Sequence, residues 1–216
     1  MKRILLLILT ITTAFTLSAF AQDNNQFGIY GSPLQTLNGN NLRASIFTYR
    51  DDGANIFLPS ELNLTTATTT KTSSIEDYNL INFSFFKELS IGRGENYIGF
   101  GIKALNKKEE NAATKGYALP LSFKTIQPLH DKIDFNGDIS IFPIGNYDVN
   151  TENIEFGGKF SGYKLNLGLK GQLTDTFSIK GGYLREGYYY GDDQSQQIAG
   201  YNEALHGLYF GAEITF

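Results

Sequence analysis

The chain of 216 residues contains no cysteine and only two histidines, and its 18 basic residues are outnumbered by 22 acidic ones. Without cysteine, a disulfide framework and thiolate chemistry are excluded. The acidic balance disfavours nucleic-acid binding, which needs a basic surface to neutralise phosphates. After residue 21 there is also no long apolar run, so no membrane-spanning helix is expected in the rest of the chain.

The first 21 residues have the layout of a secretory signal peptide. Two basic residues precede an apolar stretch over 4–15, and Ala19-Phe20-Ala21 forms a small-x-small cleavage site. The apolar stretch is short for a membrane-spanning helix. We therefore expect an exported protein with a cleaved signal peptide at 1–21 and a single domain at 22–216. No cysteine follows Ala21, so a lipoprotein anchor is not expected.

The remainder of the chain alternates apolar and polar residues with a period of two, which indicates β-strands. In the stretch ENYIGFGIKAL, for example, Ile98, Phe100 and Ile102 share one face. The strong segments are 42–50, 77–88, 95–105, 115–126, 133–142, 158–173, 177–190 and 206–216. Most are longer than the five or six residues usual in soluble sheets and suit a tilted strand that crosses a bilayer, which needs about 9–11 residues.

The connections between these segments alternate in length. The short connections are 89–95, 127–132 and 174–176, and the long polar ones are 51–76, 106–115, 143–153 and 191–205. The first long connection includes a Thr-rich stretch, 65–74, which we interpret as a flexible loop. Tight turns alternating with long loops are typical of outer-membrane barrels.

We therefore predict an all-β fold, an antiparallel up-and-down transmembrane β-barrel of eight strands. Two further pieces, 26–32 and 54–64, would raise the count to ten, which is the alternative. The short piece 26–32 favours eight, and Pro120 is a flaw within a predicted strand because proline cannot donate to a ladder. The short turns are assigned to the periplasmic side and the long loops to the outside.

The last strand, GLYFGAEITF, alternates apolar and polar residues and ends on Phe216. It resembles the assembly signal of bacterial outer-membrane β-barrels, which implies recognition by the barrel-assembly machinery. The stretches over 116–142 and 162–193 are similar to hairpins of the YfaZ-like outer-membrane proteins, small barrels of Gram-negative bacteria without an assigned activity. The resemblance implies an outer-membrane location and brings no functional residues.

The predicted inward face is polar and carries both signs of charge. Its charged members are Lys103, Asp134, Asp138, Lys164, Lys170, Lys180 and Glu213, and its glycines are Gly99, Gly101, Gly168 and Gly211. In an eight-stranded barrel these charges would pair and fill the interior, whereas ten strands could leave a narrow water path. We expect an aromatic girdle on the outer side, formed by Tyr49, Tyr78, Tyr117, Phe142, Tyr188, Tyr189 and Tyr190.

For each candidate catalytic or metal-binding residue, a purely structural role explains the sequence better. His206 has Glu203 nearby, but the His-x-Ser pair that lipid A deacylase barrels place on a late strand is missing, and His130 falls in a turn. The DFNGD stretch at 134–138 lacks the spacing of a calcium loop. Asp51-Asp52-Gly53 and Gly191-Asp192-Asp193 are interpreted as turn residues at external loops. We predict no catalytic, cofactor or metal site.

The function predicted from the sequence is a non-enzymatic integral outer-membrane barrel with a structural or surface-interaction role. The alternative is a narrow porin-like channel for small hydrophilic solutes. A lipid A-modifying enzyme is a less favoured hypothesis, and a soluble periplasmic lipocalin-like barrel is a fourth hypothesis. The expected partners are the lipid bilayer and lipopolysaccharide, with no nucleic acid, and the expected state is a monomer.

Overall fold

A computed structural model describes residues 25–36, 41–51, 59–70, 77–92, 94–109, 111–151, 155–191 and 201–216. The predicted signal peptide lies outside the described residues. The strands are β1 (Asn25–Thr36), β2 (Asn41–Asp51), β3 (Glu61–Thr69), β4 (Asp77–Leu89), β5 (Glu95–Glu109), β6 (Ala112–Ala118), β7 (Leu121–His130), β8 (Ile133–Thr151), β9 (Glu155–Gln172), β10 (Phe177–Tyr190) and β11 (Tyr201–Thr215). Within these ranges, no helix has the length and apolar character needed to cross a membrane.

The strands form one antiparallel sheet that closes on itself. β1 pairs with β2 on one side and with β11 on the other, and Asn25 and Phe216 exchange backbone hydrogen bonds of 3.0 and 2.9 Å. β6 and β7 are two segments of one strand position, since both pair with β5 and with β8. The eleven segments therefore build a barrel with ten strand positions.

The prediction of eight strands is wrong, and the alternative of ten is confirmed. The piece judged too short, 26–32, belongs to the 12-residue strand β1. The other added strand, β3, begins later than the ambiguous piece and includes Thr65–Thr69 of the stretch interpreted as a flexible loop. Threonine is β-branched and is favoured in strands, and Thr65 and Ala67 are buried while Thr68 is exposed. Residues 71–74 of that stretch lie outside the described residues.

The two additional strands change which connections share an end of the barrel. We call the end that holds Asn25 and Phe216 the terminal end, and the opposite end the far end. Asp51 pairs with Asn25, so it lies at the terminal end and not beside an external loop as predicted. β5 and β8 continue to Glu109 and Thr151, which places strand where the sequence predicted long loops.

Three of the prolines lie at interruptions of the hydrogen-bond ladder. Pro120 separates β6 from β7, and its carbonyl accepts a hydrogen bond of 3.0 Å from the backbone N–H of Gly101. Pro128 and Pro143 lie at register shifts of β7 and β8. Proline within a sheet is confined to edges and bulges because it has no N–H. The predicted flaw at Pro120 is therefore the break between two segments of one strand position.

Candidate functional site

The half of the barrel nearer the terminal end is apolar outside and polar inside. On β5 the outward side chains of Ile98, Phe100 and Ile102 are 55 to 63% exposed. We call the outward apolar surface of this half the apolar belt; its exposed members include Ile29, Ile98, Phe100, Ile102, Leu121, Phe123, Ile139, Ile141, Leu167, Leu169, Leu208, Phe210 and Ile214. An apolar surface that encircles a protein is incompatible with an aqueous environment.

Inside the belt lies a network of charged and hydroxyl side chains, which we call the polar layer. Glu213 accepts a hydrogen bond from the Tyr30 hydroxyl and pairs with Lys170 at 2.7 Å. Lys124 pairs with Glu61 across the interior. Opposite charges therefore compensate these buried groups, whereas the buried Lys180 Nζ atom lies 5.3 Å from the centroid of the Tyr30 ring.

Two further pairs complete the polar layer. Arg50 contacts Glu95 at 2.6 Å, and the Tyr97 hydroxyl donates to the same carboxylate at 2.7 Å. Lys164 pairs with Asp138 at 3.4 Å. The predicted inward charges do line the interior. Seven further inward charges were not assigned from the sequence. Glu61, Lys107 and Glu203 lie outside the predicted strands. The others lie within predicted strands and were overlooked there: Arg50, Glu95, Lys124 and Glu186.

The inward glycines of the polar layer make room for tyrosine rings. A Cβ atom on Gly168 would collide with the Tyr209 hydroxyl, and one on Gly211 would collide with the Tyr30 side chain. The two rings are in edge-to-face contact, with centroids 6.0 Å apart. Glycine in these strands therefore permits a close approach of the tyrosines to the wall.

The half nearer the far end has the opposite polarity. Its inward side chains form a cluster that we call the aromatic plug, consisting of Tyr78, Phe142, Tyr147, Phe160, Tyr188 and Tyr190, all buried. Ring centroids are 5.1 Å apart for Tyr147 and Tyr190 and 5.7 Å apart for Phe160 and Tyr190. Many outward positions at this height are polar, including Asn79, Asn106, Asn146 and Asp148. This half is built like a soluble barrel.

The predicted aromatic girdle is therefore largely wrong. Tyr78, Phe142, Tyr188 and Tyr190 point inward and belong to the plug. Tyr117 and Tyr189 face outward near the far end, with 59 and 52% of their surface exposed, and Tyr49 lies near the terminal end. On β10 the alternation of side chains could have shown the inward orientation of the tyrosines. Tyr188 and Tyr190 lie an even number of residues from Lys180, which was assigned inward, so they lie on the same face.

Two ion pairs are embedded among the plug residues. Lys103 pairs with Glu186, which also accepts a hydrogen bond from the Tyr188 hydroxyl, and the Lys103 Nζ atom lies 4.6 Å from the centroid of the Phe142 ring. Lys107 lies 3.7 Å from Glu203, which accepts a 3.4 Å hydrogen bond from Tyr190. The rings and the carboxylates together compensate buried ammonium groups.

The space left inside the polar layer is small. Two cavities lie there. The volume open to the centre of a water molecule is about 20 Å³ in one and about 10 Å³ in the other. A single water needs roughly 10–15 Å³ by this measure, so each cavity holds about one water. Along the described strands, the interior is filled from the polar layer to the aromatic plug, although the ten-stranded alternative had allowed a water path.

The structure separates the residues considered for catalysis. His206 faces outward on β11, whereas Glu203 is buried inside, so the imidazole and the carboxylate lie on opposite faces of the wall. His130 is exposed at the terminal end. Asp134 and Asp138 point inward from a continuous strand, and Asp138 pairs with Lys164. Asp52, Gly53, Asp192 and Asp193 lie outside the described residues, among which no cluster suited to a metal ion occurs.

Comparison with known proteins supports the fold. No protein-family model and no curated protein matches the sequence, so the resemblance to YfaZ-like proteins stays a prediction. The outer-membrane protease OmpT from Escherichia coli superposes with a TM-score of 0.54 and 7% identity, over 91% of this chain and 98% of that chain. Ail of Yersinia pestis gives a TM-score of 0.40 at 12% identity, with 90% and 100% covered, and neisserial surface protein A gives 0.38 at 12%, with 89% and 96% covered. The likeness to OmpT shows a closed antiparallel barrel of the outer-membrane type.

Proposed function

We propose that the chain is an integral outer-membrane protein of a Gram-negative bacterium with a closed interior and a structural or surface-interaction role. In this proposal the apolar belt contacts lipid tails, and the polar-surfaced far half projects from the membrane. The terminal end lies in the periplasm and the far end outside. The proposal includes a cleaved signal peptide, a relation to YfaZ-like proteins, recognition of the last strand by the barrel-assembly machinery, and a monomeric state.

The filled interior is the observation that favours a non-conducting role over a channel. A solute would have to displace the ion pairs of the polar layer and then the stacked rings of the aromatic plug. Displacing one partner of a buried ion pair costs about 3–5 kcal/mol, and the polar layer contains several such pairs. These costs oppose passive conduction by the folded state.

The same geometry supports a non-enzymatic role over lipid modification. A serine hydrolase needs a histidine base in hydrogen-bond reach of its partners. His206 faces the lipid side of the wall, whereas the buried carboxylate of Glu203 is engaged by Lys107 and Tyr190 on the inner side.

Conductance in a planar lipid bilayer tests the closed interior. We expect the refolded protein to give no discrete current steps. A variant that thins both layers, with Glu61, Lys124, Phe160 and Tyr190 replaced by alanine, is expected to conduct, because it removes an ion pair and two rings from the path. Heat-shifted gel migration of both proteins shows that each is folded and inserted.

Stable current steps from the unmodified protein would contradict a closed interior and favour the narrow porin-like channel. Overproduction in a Gram-negative host addresses the enzymatic alternative: unchanged lipid A is expected, and a new lipid A species that depends on His206 would overturn the non-enzymatic role.

A further inference from the structure

The apolar belt ends in basic side chains on one side of the barrel. Outward residues can be followed on each strand from the terminal end towards the far end. On β11, Leu208 is followed by His206; on β10, Tyr183 is followed by Arg185; and on β2, Ser45 is followed by Arg43. We call Arg43, Arg185 and His206 the basic row.

On β3, β4, β5 and β8 the belt ends in neutral residues, whereas on β6 the outward Tyr117 is followed by Lys115. The first polar outward residues beyond it are Asn79 on β4, Asn106 on β5 and Asn146 on β8. Thr66 and Thr68 follow the apolar positions of β3. Outward lysines also occur in the far half at Lys108, Lys115 and Lys159, so the basic row is distinguished by the hollow that adjoins it and not by charge alone.

The strands that carry the basic row are neighbours. Strands β2, β1, β11 and β10 are consecutive in the barrel, with Arg43 opposite Pro33, Gln35 opposite His206, and His206 opposite Arg185. Three inter-strand spacings of about 4.8 Å separate the two arginine-bearing strands, about 14 Å in all. The basic row thus spans a patch as wide as a small molecule.

The basic row has no acidic partner among the described residues. Arg43 and Arg185 are exposed, and His206 is half-buried next to the Tyr183 ring, at a centroid distance of 6.4 Å. This differs from the interior, where lysines and carboxylates are paired. An arginine at a membrane boundary without a protein counter-ion is free to bind an external anion, and its planar guanidinium suits phosphate oxygens.

A hollow adjoins the basic row, with a volume of about 560 Å³. Its lining includes Pro33, Arg43, Ser45, His206 and Gly207, and most of these are small. Pockets of about 300–1,000 Å³ accept small ligands. Arg43 and His206 therefore place basic groups on the wall of the hollow, and Arg185 is opposite His206 on the neighbouring strand.

The hollow lies where the ladder between β1 and β11 is interrupted. Backbone pairing is present at Gly31 with Phe210 and again at Gln35 with His206, but not between them. Pro33 has no N–H to donate, and the Ser32 hydroxyl donates to the Leu208 carbonyl at 2.8 Å. A side chain thus replaces a ladder bond at this point, so the gap is satisfied internally and leaves room on the outside.

We propose that the basic row and its hollow bind the phosphate groups of a bis-phosphorylated glycolipid headgroup in the outer leaflet. The backbones of the two arginine-bearing strands are about 14 Å apart, so a headgroup with a phosphate at each end can engage both arginines at once while a sugar ring occupies the hollow. A glycerophospholipid carries a single phosphate and engages one arginine at a time. This inference rests on the proposed function, which places the far end on the outer side.

The test measures binding of purified, refolded protein in detergent micelles to bis-phosphorylated lipid A, to lipid A with one phosphate removed, to phosphatidylglycerol and to inorganic phosphate. The test variant is R43Q/R185Q. The matched control is K115Q/K159Q, which removes two exposed outward cations of the far half that do not line the hollow. Heat-shifted migration shows that every variant is folded.

We expect the wild-type protein to bind bis-phosphorylated lipid A at least about tenfold more tightly than phosphatidylglycerol. R43Q/R185Q should bind this lipid A at least about tenfold more weakly than the wild-type protein. The affinity of the control variant should stay within about twofold of the wild-type value. Lipid A with one phosphate is expected to bind more weakly than the bis-phosphorylated form. Equal weakening in the control, an unaffected R43Q/R185Q, or equal binding of phosphatidylglycerol would overturn the proposal. Displacement by inorganic phosphate at similar concentration would also overturn it, since the ligand would then be free phosphate.

Insertion into phosphatidylglycerol-containing vesicles, measured in parallel, distinguishes failure of the proposed function from failure of the proposed binding site. A protein that does not insert contradicts the proposed function itself. A protein that inserts and shows no preference for lipid A contradicts the binding site alone.

Discussion

At the residue scale, the interior is organised by pairs of opposite charge. Lys103 lies between Glu186 and the ring of Phe142, and both Lys103 and Glu186 are almost fully buried. Such a pair contributes little net stability over an apolar pair of the same volume, but removing one partner leaves an uncompensated buried charge. The arrangement therefore matters most when it is broken on one side.

We predict that Lys103→Ala destabilises the folded barrel by about 3–5 kcal/mol, because the Glu186 carboxylate keeps only the Tyr188 hydroxyl as a partner. Urea unfolding in lipid vesicles measures the loss. Lys115→Ala, at an exposed outward position, is the matched control and is expected to change stability by less than about 0.5 kcal/mol. Adding Glu186→Gln to Lys103→Ala should recover part of the loss. Equal effects of Lys103→Ala and Lys115→Ala would contradict the buried pair.

The orientation of many residues could be predicted from the sequence because the period of a strand is two. Lys180, Glu213 and Asp138 were assigned inward and do line the interior. The rings of Phe142 and Tyr188 were misassigned because tyrosine and phenylalanine suit both a membrane boundary and a packed core. Composition could not decide between these locations, whereas counting positions from Lys180 or Asp138 would have done so.

At the element scale, the ring of strands is closed by β1 and β11, and their ladder depends on one side chain. Pro33 cannot donate a backbone hydrogen bond, and Ser32 supplies the hydrogen bond to Leu208. A carbonyl left without a donor inside a wall costs about 1–3 kcal/mol. The pairing between β1 and β11, which we call the seam, should therefore be sensitive to the loss of a single hydroxyl group.

We predict that Ser32→Ala lowers stability by about 1–2 kcal/mol and speeds amide hydrogen exchange along β1 and β11 more than along β9. Hydrogen exchange with mass spectrometry measures this difference. Ser45→Ala removes a hydroxyl from the outward face of the neighbouring strand and is expected to leave the exchange of the seam unchanged. Uniform acceleration in all strands of Ser32→Ala would indicate a global effect and contradict the local one.

Strands could be predicted where alternation was strong, as in β5 and β8. They were missed where the composition of the stretch masked the alternation. The Thr-rich stretch around Thr65 was interpreted as a loop, but β-branched side chains fit a strand, and its pairing with β2 and β4 depends on residues distant in sequence. The piece that became β1 looked too short because Gly31 and Pro33 break its alternation. Both misassignments arise from tertiary pairing, which local sequence does not encode.

At the scale of the whole molecule, polarity reverses along the barrel axis. Near the terminal end the wall is apolar outside and polar inside, and near the far end it is polar outside and aromatic inside. The reversal marks where a hydrocarbon environment would end. The sequence indicated the apolar belt correctly, but parts of the far half, such as 106–109 and 143–151, were assigned to loops. Polar outward residues such as Asn146 and Asp148 are as typical of loops as of soluble strands.

The reversal can be measured with tryptophan, which the natural sequence lacks. We predict that the single tryptophan of Phe210→Trp is strongly quenched by lipids with brominated acyl chains, since position 210 is in the belt, and that Asn146→Trp is quenched weakly. Fluorescence of the two variants in the same vesicles gives the comparison. Equal quenching of both would contradict the assignment of the far half to the region outside the hydrocarbon.

The pairing of β1 with β11 has a consequence for how the protein is made. Phe27 is opposite Ile214, so the first described strand pairs with one that is synthesised after all the strands between them. Until that partner arrives, β1 is an unpaired edge open to self-association, and the long closure loop slows its capture. We therefore expect the yield of native protein to depend on how well the edge of β1 is protected until β11 pairs with it.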